Sequence, residues 1–295
     1  MNPAGDRSGH PIRELIERTR ARLKCAGIAE YQLEGELLLQ HVMKISPARM
    51  FAGMNDTLEP GTEAELQRLT ERRADREPLA YITGRRAFYG RELNVTPEVL
   101  IPRGETELLV DLALKWVADH PAVQADLQLA DIGTGCGTLA ITLAAELSRA
   151  SVDAVDISPA ALEVALGNAQ DHGVSDRVNF FEGDLASPLK GRRYRLVLAN
   201  LPYVRADSLA TAQPEVRREP VLALLGGADG LDLVRRLATT LPELLDPTGS
   251  LALFEIDPLT AAGTVEILEA ALPAARVTIV NDLAGLERCV TAEIG

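Results

Sequence analysis

Residues 127–140 read "LQLADIGTGCGTLA". An apolar run at 127–132 suits a buried strand, and glycines follow at 133, 135 and 137 before the chain turns apolar again. Gly133 and Gly135 allow a tight turn and a close approach of backbone to ligand ahead of a helix N-terminus. A dinucleotide loop of the dehydrogenase kind needs its third glycine at 138, where this chain has Thr138; the glycine falls at 137. Asp131 adds a carboxylate that repels a pyrophosphate but holds a ligand's ammonium group. The loop Asp131-Ile132-Gly133-Thr134-Gly135 therefore favours an amino-acid-bearing nucleotide over NAD.

Working outward, short β-branched runs alternate with helical patterns. Strands are expected at 127–132, 152–156, 178–182, 194–199, 249–255, 275–281 and 287–294, with helices at 105–119, 137–148, 159–172 and 229–245. Strands separated by helices imply crossovers and a mainly parallel, doubly wound α/β sheet. The short link "NDLAGL" makes the last two strands an antiparallel pair. Ligands of such sheets bind beyond the carboxyl ends of the strands. Asp156 ends the second strand, about 20 residues past the glycine loop, where a carboxylate accepts both ribose hydroxyls. The competing reading, a helix cap, suits Ser158 better. Asp184, in "EGDL" with Leu185, stands where it can accept from an exocyclic adenine amine; a turn-forming role after Gly183 is nearly as good a reading. A loop acid, a ribose acid and an adenine acid on successive strand ends describe a site for S-adenosylmethionine.

The fourth strand ends in "ANLPYV", 199–204. A planar amide or amino nitrogen that is to be methylated has a delocalised lone pair, and two acceptors for its N–H groups orient it. The Asn200 side-chain oxygen and the Leu201 carbonyl are those acceptors, Pro202 stiffens the turn, and Tyr203 can stack on the planar group. No metal or strong base is needed, and no Cys/His spacing resembles a metal site. The plain alternative is a strand-ending turn.

The first 77 residues carry helical stripes, of which Ile12, Leu15, Ile16, Thr19 and Leu23 form the first. "LAYITGRRAFYGRELNVT", 79–96, alternates about Gly84 and Gly90 and reads as a β-hairpin. Net charge is −13, all of it from residues 102–295, which hold 15 Lys+Arg and 28 Asp+Glu. Such a surface is a poor generic partner for nucleic acid. Residues 68–91 contain seven arginines against three acids, read as a solvated helix face rather than a docking surface. The N-terminus "MNPAGDRSGH" lacks an apolar signal core, no window is apolar enough to span a membrane, and three scattered cysteines suggest reduced thiols. A cytoplasmic location follows as the expectation.

At these residues the sequence resembles the HemK/PrmC family of protein-(glutamine-N5) methyltransferases, which act on peptide-chain release factors. The resemblance runs through "REPLAYITGRRAFYGRELNVTPEVLIPRGETELLV" (76–110), "DIGTGCG", "DIS", "ANLPYV", "EPVLALLGGADGLDLVRRL" (219–237) and "LFEI" (253–256). It implies a Rossmann-like class I methyltransferase fold at 103–295, a helical substrate-docking domain at 1–78 and a β-hairpin linker at 79–102. It further implies that Asp131 to Gly135, Asp156, Asp184, Leu185 and Asn200 contact S-adenosylmethionine, and that Asn200 to Tyr203 hold the glutamine of a class 1 release factor's Gly-Gly-Gln tip. Arg103, Glu105 and Glu107 are expected to cover the site, and a monomer is expected. This chain departs from the pattern at Leu201 and Gly104, where the family usually has Pro, and at Asp257, where it tends to have Gly. The first two changes loosen the backbone. The rival functions are methylation of a ribosomal-protein glutamine, methylation of a DNA or RNA amino group, and cofactor binding without catalysis.

Overall fold

The computed structural model describes residues 9–295; the rest of the N-terminal stretch read for a signal core lies outside the described residues. The chain divides into two compact units. One runs up to Gly84 and takes in Pro214–Arg218; the other comprises Arg85–Gln213 and Glu219–Gly295.

The first unit is helical: α1 (Ile12–Cys25), α2 (Tyr31–Met43), α3 (Pro47–Ala52), α4 (Pro60–Ala74) and α5 (Leu79–Thr83). The stripe Ile12, Leu15, Ile16, Thr19 and Leu23 is buried, as its spacing predicts. Its apolar members pack with Leu38, Leu39, Met50, Leu66, Leu69 and Ile82 into one apolar core. Helix α5 occupies the first five residues of the expected hairpin. Gly84, with φ 72°, ends it, because a left-handed residue stops a helix cheaply only as glycine. The arginine-rich run is not a solvated face throughout. Arg73 is buried and paired with both Glu34 and Glu215, and Arg76 also reaches Glu215 at 2.8 Å.

The second unit begins with the hairpin of β1 (Arg85–Phe88) and β2 (Arg91–Asn94), turned by Tyr89 and Gly90, both at positive φ, as a type I′ turn requires. Then follow α6 (Glu107–Asp119), β3 (Gln128–Ile132), α7 (Thr138–Glu146), β4 (Ser151–Asp156), α8 (Pro159–Asp171), β5 (Val178–Glu182) and β6 (Leu196–Ala199). The chain closes with α9 (Asp232–Ala238), α10 (Leu241–Leu244), β7 (Ser250–Glu255), α11 (Ala261–Ala271), β8 (Arg276–Asn281) and β9 (Glu287–Ile294). The seven-stranded sheet has the order β5-β4-β3-β6-β7-β9-β8, parallel from β5 to β7, with β9 antiparallel to both neighbours. The expected mainly parallel sheet with an antiparallel end is the observed one.

Two helical expectations differ. The single helix at 229–245 is two, because Pro242 has no N–H to continue the ladder and the hydroxyls of Thr239 and Thr240 bond to carbonyls three residues back. Helix α11 was not expected; its buried face is Ala261, Thr264 and Leu268, too weak an apolar stripe to stand out. Among the described residues, no helix is long and apolar enough to cross a membrane.

Arg73→Ala would strand two acids around a buried position. Breaking a buried pair in this way costs about 3 kcal/mol, so urea unfolding followed through the helical signal should show that loss. A change below about 1 kcal/mol would mean that the pair is merely superficial.

Candidate active site

Strand order reverses at β3: β4 and β5 lie to one side, and β6 crosses to the other. The crevice beyond β3 and β6 is where such a sheet leaves room for a ligand. Their register pairs Ile132 with Ala199, so the glycine loop and the Asn200 turn leave the sheet side by side. The two are in contact: a Cβ on Gly133 would stand 3.2 Å from Leu201 Cδ2. A cavity of about 400 Å³ opens there, within the range of small-molecule sites.

Gly133, Gly135 and Gly137 all have positive φ, at 78°, 57° and 87°. The third glycine thus lies one position earlier than the dehydrogenase pattern because Gly137 itself ends the turn, and a Cβ there would strike Ile141 Cδ1 at 2.5 Å. Asp131 is 1% exposed, and its Oδ2 accepts from the Thr134 hydroxyl at 2.7 Å and from Ala140 N–H at 3.1 Å. It therefore pins the loop to the first turn of α7 as well as lining the cavity. Asp156 Oδ2 accepts from Gly135 N–H at 2.8 Å and Oδ1 from Ser158 N–H at 2.9 Å. Each oxygen keeps a second lone pair. Ser158, not Asp156, caps α8, taking Ala161 N–H at 3.2 Å.

Of the other sequence-derived candidates, Gly133, Thr134, Gly135, Asp184, Leu185, Asn200, Leu201 and Pro202 line the cavity. Ile132 and Tyr203 are not among the lining residues. Ile132 is buried in the sheet core. Tyr203 directs its hydroxyl to Glu255 Oε1 in a long 3.5 Å contact, and burial first, then the Glu255 charge, raise its pKa and keep it a donor. Asp184 is ion-paired with Arg236, which also lines the cavity, so one of its oxygens is already engaged. Arg103 lines the cavity and pairs with buried Glu219, whose other oxygen accepts Ile101 N–H at 3.1 Å. Glu105 and Glu107 do not line it; Glu107 accepts Tyr89 N–H at 2.8 Å and so holds the hairpin turn.

Three features escaped the sequence reading. Asn200 Nδ2 donates to the Thr106 hydroxyl at 3.2 Å, and among the described residues nothing donates to its Oδ1. Glu255 ends a strand that is apolar from Leu251 to Phe254, a signal in itself, and is 5% exposed. The segment 224–227 clamps the turn: Val204 N–H donates to Leu224 at 2.8 Å and Gly226 N–H to Val204 at 2.9 Å. A Cβ on Gly226 would meet the Pro202 carbonyl oxygen at 2.6 Å, so only glycine fits. Asp257 is no loose substitute for glycine, since its Oδ1 accepts Leu259 N–H at 2.9 Å and caps the turn Pro258–Thr260.

Two family models match the chain, the PrmC N-terminal domain over residues 14–84 and the methyltransferase small domain over residues 107–216. A release factor glutamine methyltransferase of Geobacter sulfurreducens is 41% identical over 239 residues, 81% of this chain and 81% of that protein. One from Moorella thermoacetica is 37% identical over 281 residues, 95% of this chain and 98% of that protein. The chain belongs to the release factor glutamine methyltransferase family. Two solved structures share the fold of this family member. A methyltransferase from Pyrococcus furiosus gives a TM-score of 0.51 at 13% identity, covering 71% of this chain and 91% of that one. The N-terminal domain of human METTL16, solved with SAH, also gives 0.51, at 14% identity, covering 86% of this chain and 93% of that one.

Burial is the leading cause that pushes Asp131 up to about 6 from its ordinary 3.8, while the bonds from Thr134 and Ala140 oppose it. The folded chain therefore holds this proton more tightly than the unfolded chain. The resulting stabilisation is complete below about pH 4 and is lost as pH rises through about 6. Relative to the native chain, Asp131→Asn should gain up to about 2–3 kcal/mol between pH 4 and pH 7. Urea midpoints of both proteins across that range check this; a difference independent of pH would contradict it.

Proposed function

We propose that this chain transfers the methyl group of S-adenosylmethionine to the side-chain amide nitrogen of the glutamine in the Gly-Gly-Gln motif of a class 1 release factor. Family membership supports the reaction class. For the residues, one observation carries the reading: Asn200 lines the cavity with its amide nitrogen donating to Thr106 and, among the described residues, no donor on its Oδ1. An amide fixed in that sense is an acceptor, which is what a substrate N–H requires.

The residues fit the cofactor. The cavity places glycine backbone at positive φ beside the two remaining lone pairs of Asp156, and buried Asp131 suits an ammonium group. Asp184 and Leu185 would meet the base, with Asp184 shared between the adenine amine and Arg236. When bound, the cofactor supplies an electrophilic methyl group on a cationic sulfur.

The chain's own residues then orient the nucleophile. Asn200 Oδ1 and the Leu201 carbonyl, which no backbone bond among the described residues uses, accept the two N–H groups of the glutamine amide. This aims the nitrogen and makes it more electron-rich, and most of the acceleration comes from positioning. Leu201 is 5% exposed and packed in the sheet core, which restrains the turn where the family's proline would. In this reading the N-terminal helical unit is the docking surface for the release factor, and the enzyme works as a cytoplasmic monomer.

Labelled S-adenosylmethionine and a class 1 release factor should give label on the motif glutamine; transfer to nucleic acid alone would sink the proposal. Asn200→Ala should lower kcat by about 10²-fold or more while calorimetry shows cofactor binding largely intact, and Leu201→Pro should remain active. Full activity of Asn200→Ala would refute the acceptor role.

A further inference from the structure

The polar face that α8 turns to the β1–β2 hairpin has no part in the site described so far. Asn168 and Asp171, with His172 at the helix C-cap, are spaced three and four apart and so share one face. Asp171 Oδ2 accepts from Asn94 Nδ2 at 2.8 Å, and His172 Nε2 lies 2.9 Å from the Glu92 carbonyl oxygen. Asn168 makes the larger set of bonds. It is fully buried; its Oδ1 accepts Asn94 N–H at 2.8 Å, and its Nδ2 donates to the Asn94 carbonyl at 2.9 Å. The side-chain amide thus pairs with the last residue of β2 as a neighbouring strand's peptide would. Nδ2 also donates to the Cys136 carbonyl, again at 2.9 Å. One N–H and two carbonyls around a single amide fix which end is oxygen.

The identity of these partners points beyond packing. Cys136 lines the cavity and stands between Gly135 and Gly137, both at positive φ. Glycines that let a loop approach a ligand also leave its peptides free to turn, so the loop needs holds from outside. Asp156 takes Gly135 N–H, and Asn168 takes the Cys136 carbonyl. The chain that leaves Asn94 soon becomes another part of the cavity wall, where Glu98, Val99, Leu100, Pro102 and Arg103 lie. Neither Asn94 nor Asn168 lines the cavity itself. We propose that Asn168 is a positioning residue for the cofactor: one buried amide fastens the glycine loop and the 94–103 stretch to each other, so that both meet S-adenosylmethionine from set places. Without it, the Cys136 carbonyl and both backbone groups of Asn94 lose their partner at once, and the two walls move independently.

This inference rests on the proposed cofactor site, and the experiment separates the two. The native enzyme, Asn168→Ala, Asn168→Ser and Asp171→Ala are compared for S-adenosylmethionine affinity by calorimetry and for melting temperature. Methyl transfer to a class 1 release factor is measured alongside at saturating cofactor. Asn168→Ala should bind the cofactor about tenfold to a hundredfold more weakly, the order seen when a group that orients a ligand-binding one is removed. Its kcat at saturating cofactor should stay within about threefold of native, because the lost interaction serves binding rather than the chemical step. Asn168→Ser, whose hydroxyl keeps at most one donated bond, should fall between the two, and it carries the test should the alanine variant not fold. Asp171→Ala loosens the same hairpin without touching the glycine loop, and its affinity should stay within about twofold of native. Native affinity in a folded Asn168 variant with a lowered melting temperature overturns the proposal, since that is the mark of a purely structural role. So does an equal loss of affinity in Asp171→Ala, because hairpin docking alone would then account for it. If the native enzyme binds no S-adenosylmethionine, it is the proposed function that fails.

Discussion

The in-register parallel pairing of β3 with β6, Ile132 opposite Ala199, is the constraint on which the rest of this site depends. It lies where the strand order reverses, so the loops leaving the two strands diverge to opposite layers and leave a crevice between them. A slip of one residue would turn every side chain of a strand to the other face. Asp131 would then leave the α7 side, where it holds Thr134 and Ala140, and Asn200 would lose its place beside Gly133. The close approach of Gly133 to Leu201 is the local mark of this pairing.

Around that crevice the acids are backbone staples. Asp131 fastens the glycine loop to α7, Asp156 fastens it to the start of α8, and Glu219 fastens Ile101 and Arg103. A carboxylate so engaged still has lone pairs to offer, and it offers them from a fixed place. This is how a site made almost wholly of loops acquires the rigidity that positioning a weak nucleophile demands.

Much of this was legible in the residues. Alternation of β-branched runs with helical stripes gives the doubly wound sheet, and acids at successive strand ends mark the cavity. What was not legible depends on partners distant in the chain. Helix α5 looks like half a hairpin because Ala80 and Ile82 alternate like a strand, and only the burial of both, Ile82 in the helical core, makes them a turn of helix. Helix α11 is hidden by small residues that bury well but score weakly. Leu201 and Gly104 read as loosened joints. In the folded chain, Leu201 is held by packing on Gly133, and the turn that begins at Gly104 ends on Thr106, the hydrogen-bond partner of Asn200.

By itself, then, the sequence determined the class of fold, the crevice and the residue types at its rim, because strand period, glycine turns and terminal acids are local properties of the chain. Tertiary structure alone decided how those residues are held. Thr106 is 94 positions from Asn200. The hydroxyl that receives the Asn200 amide N–H is one that no neighbour in sequence can supply.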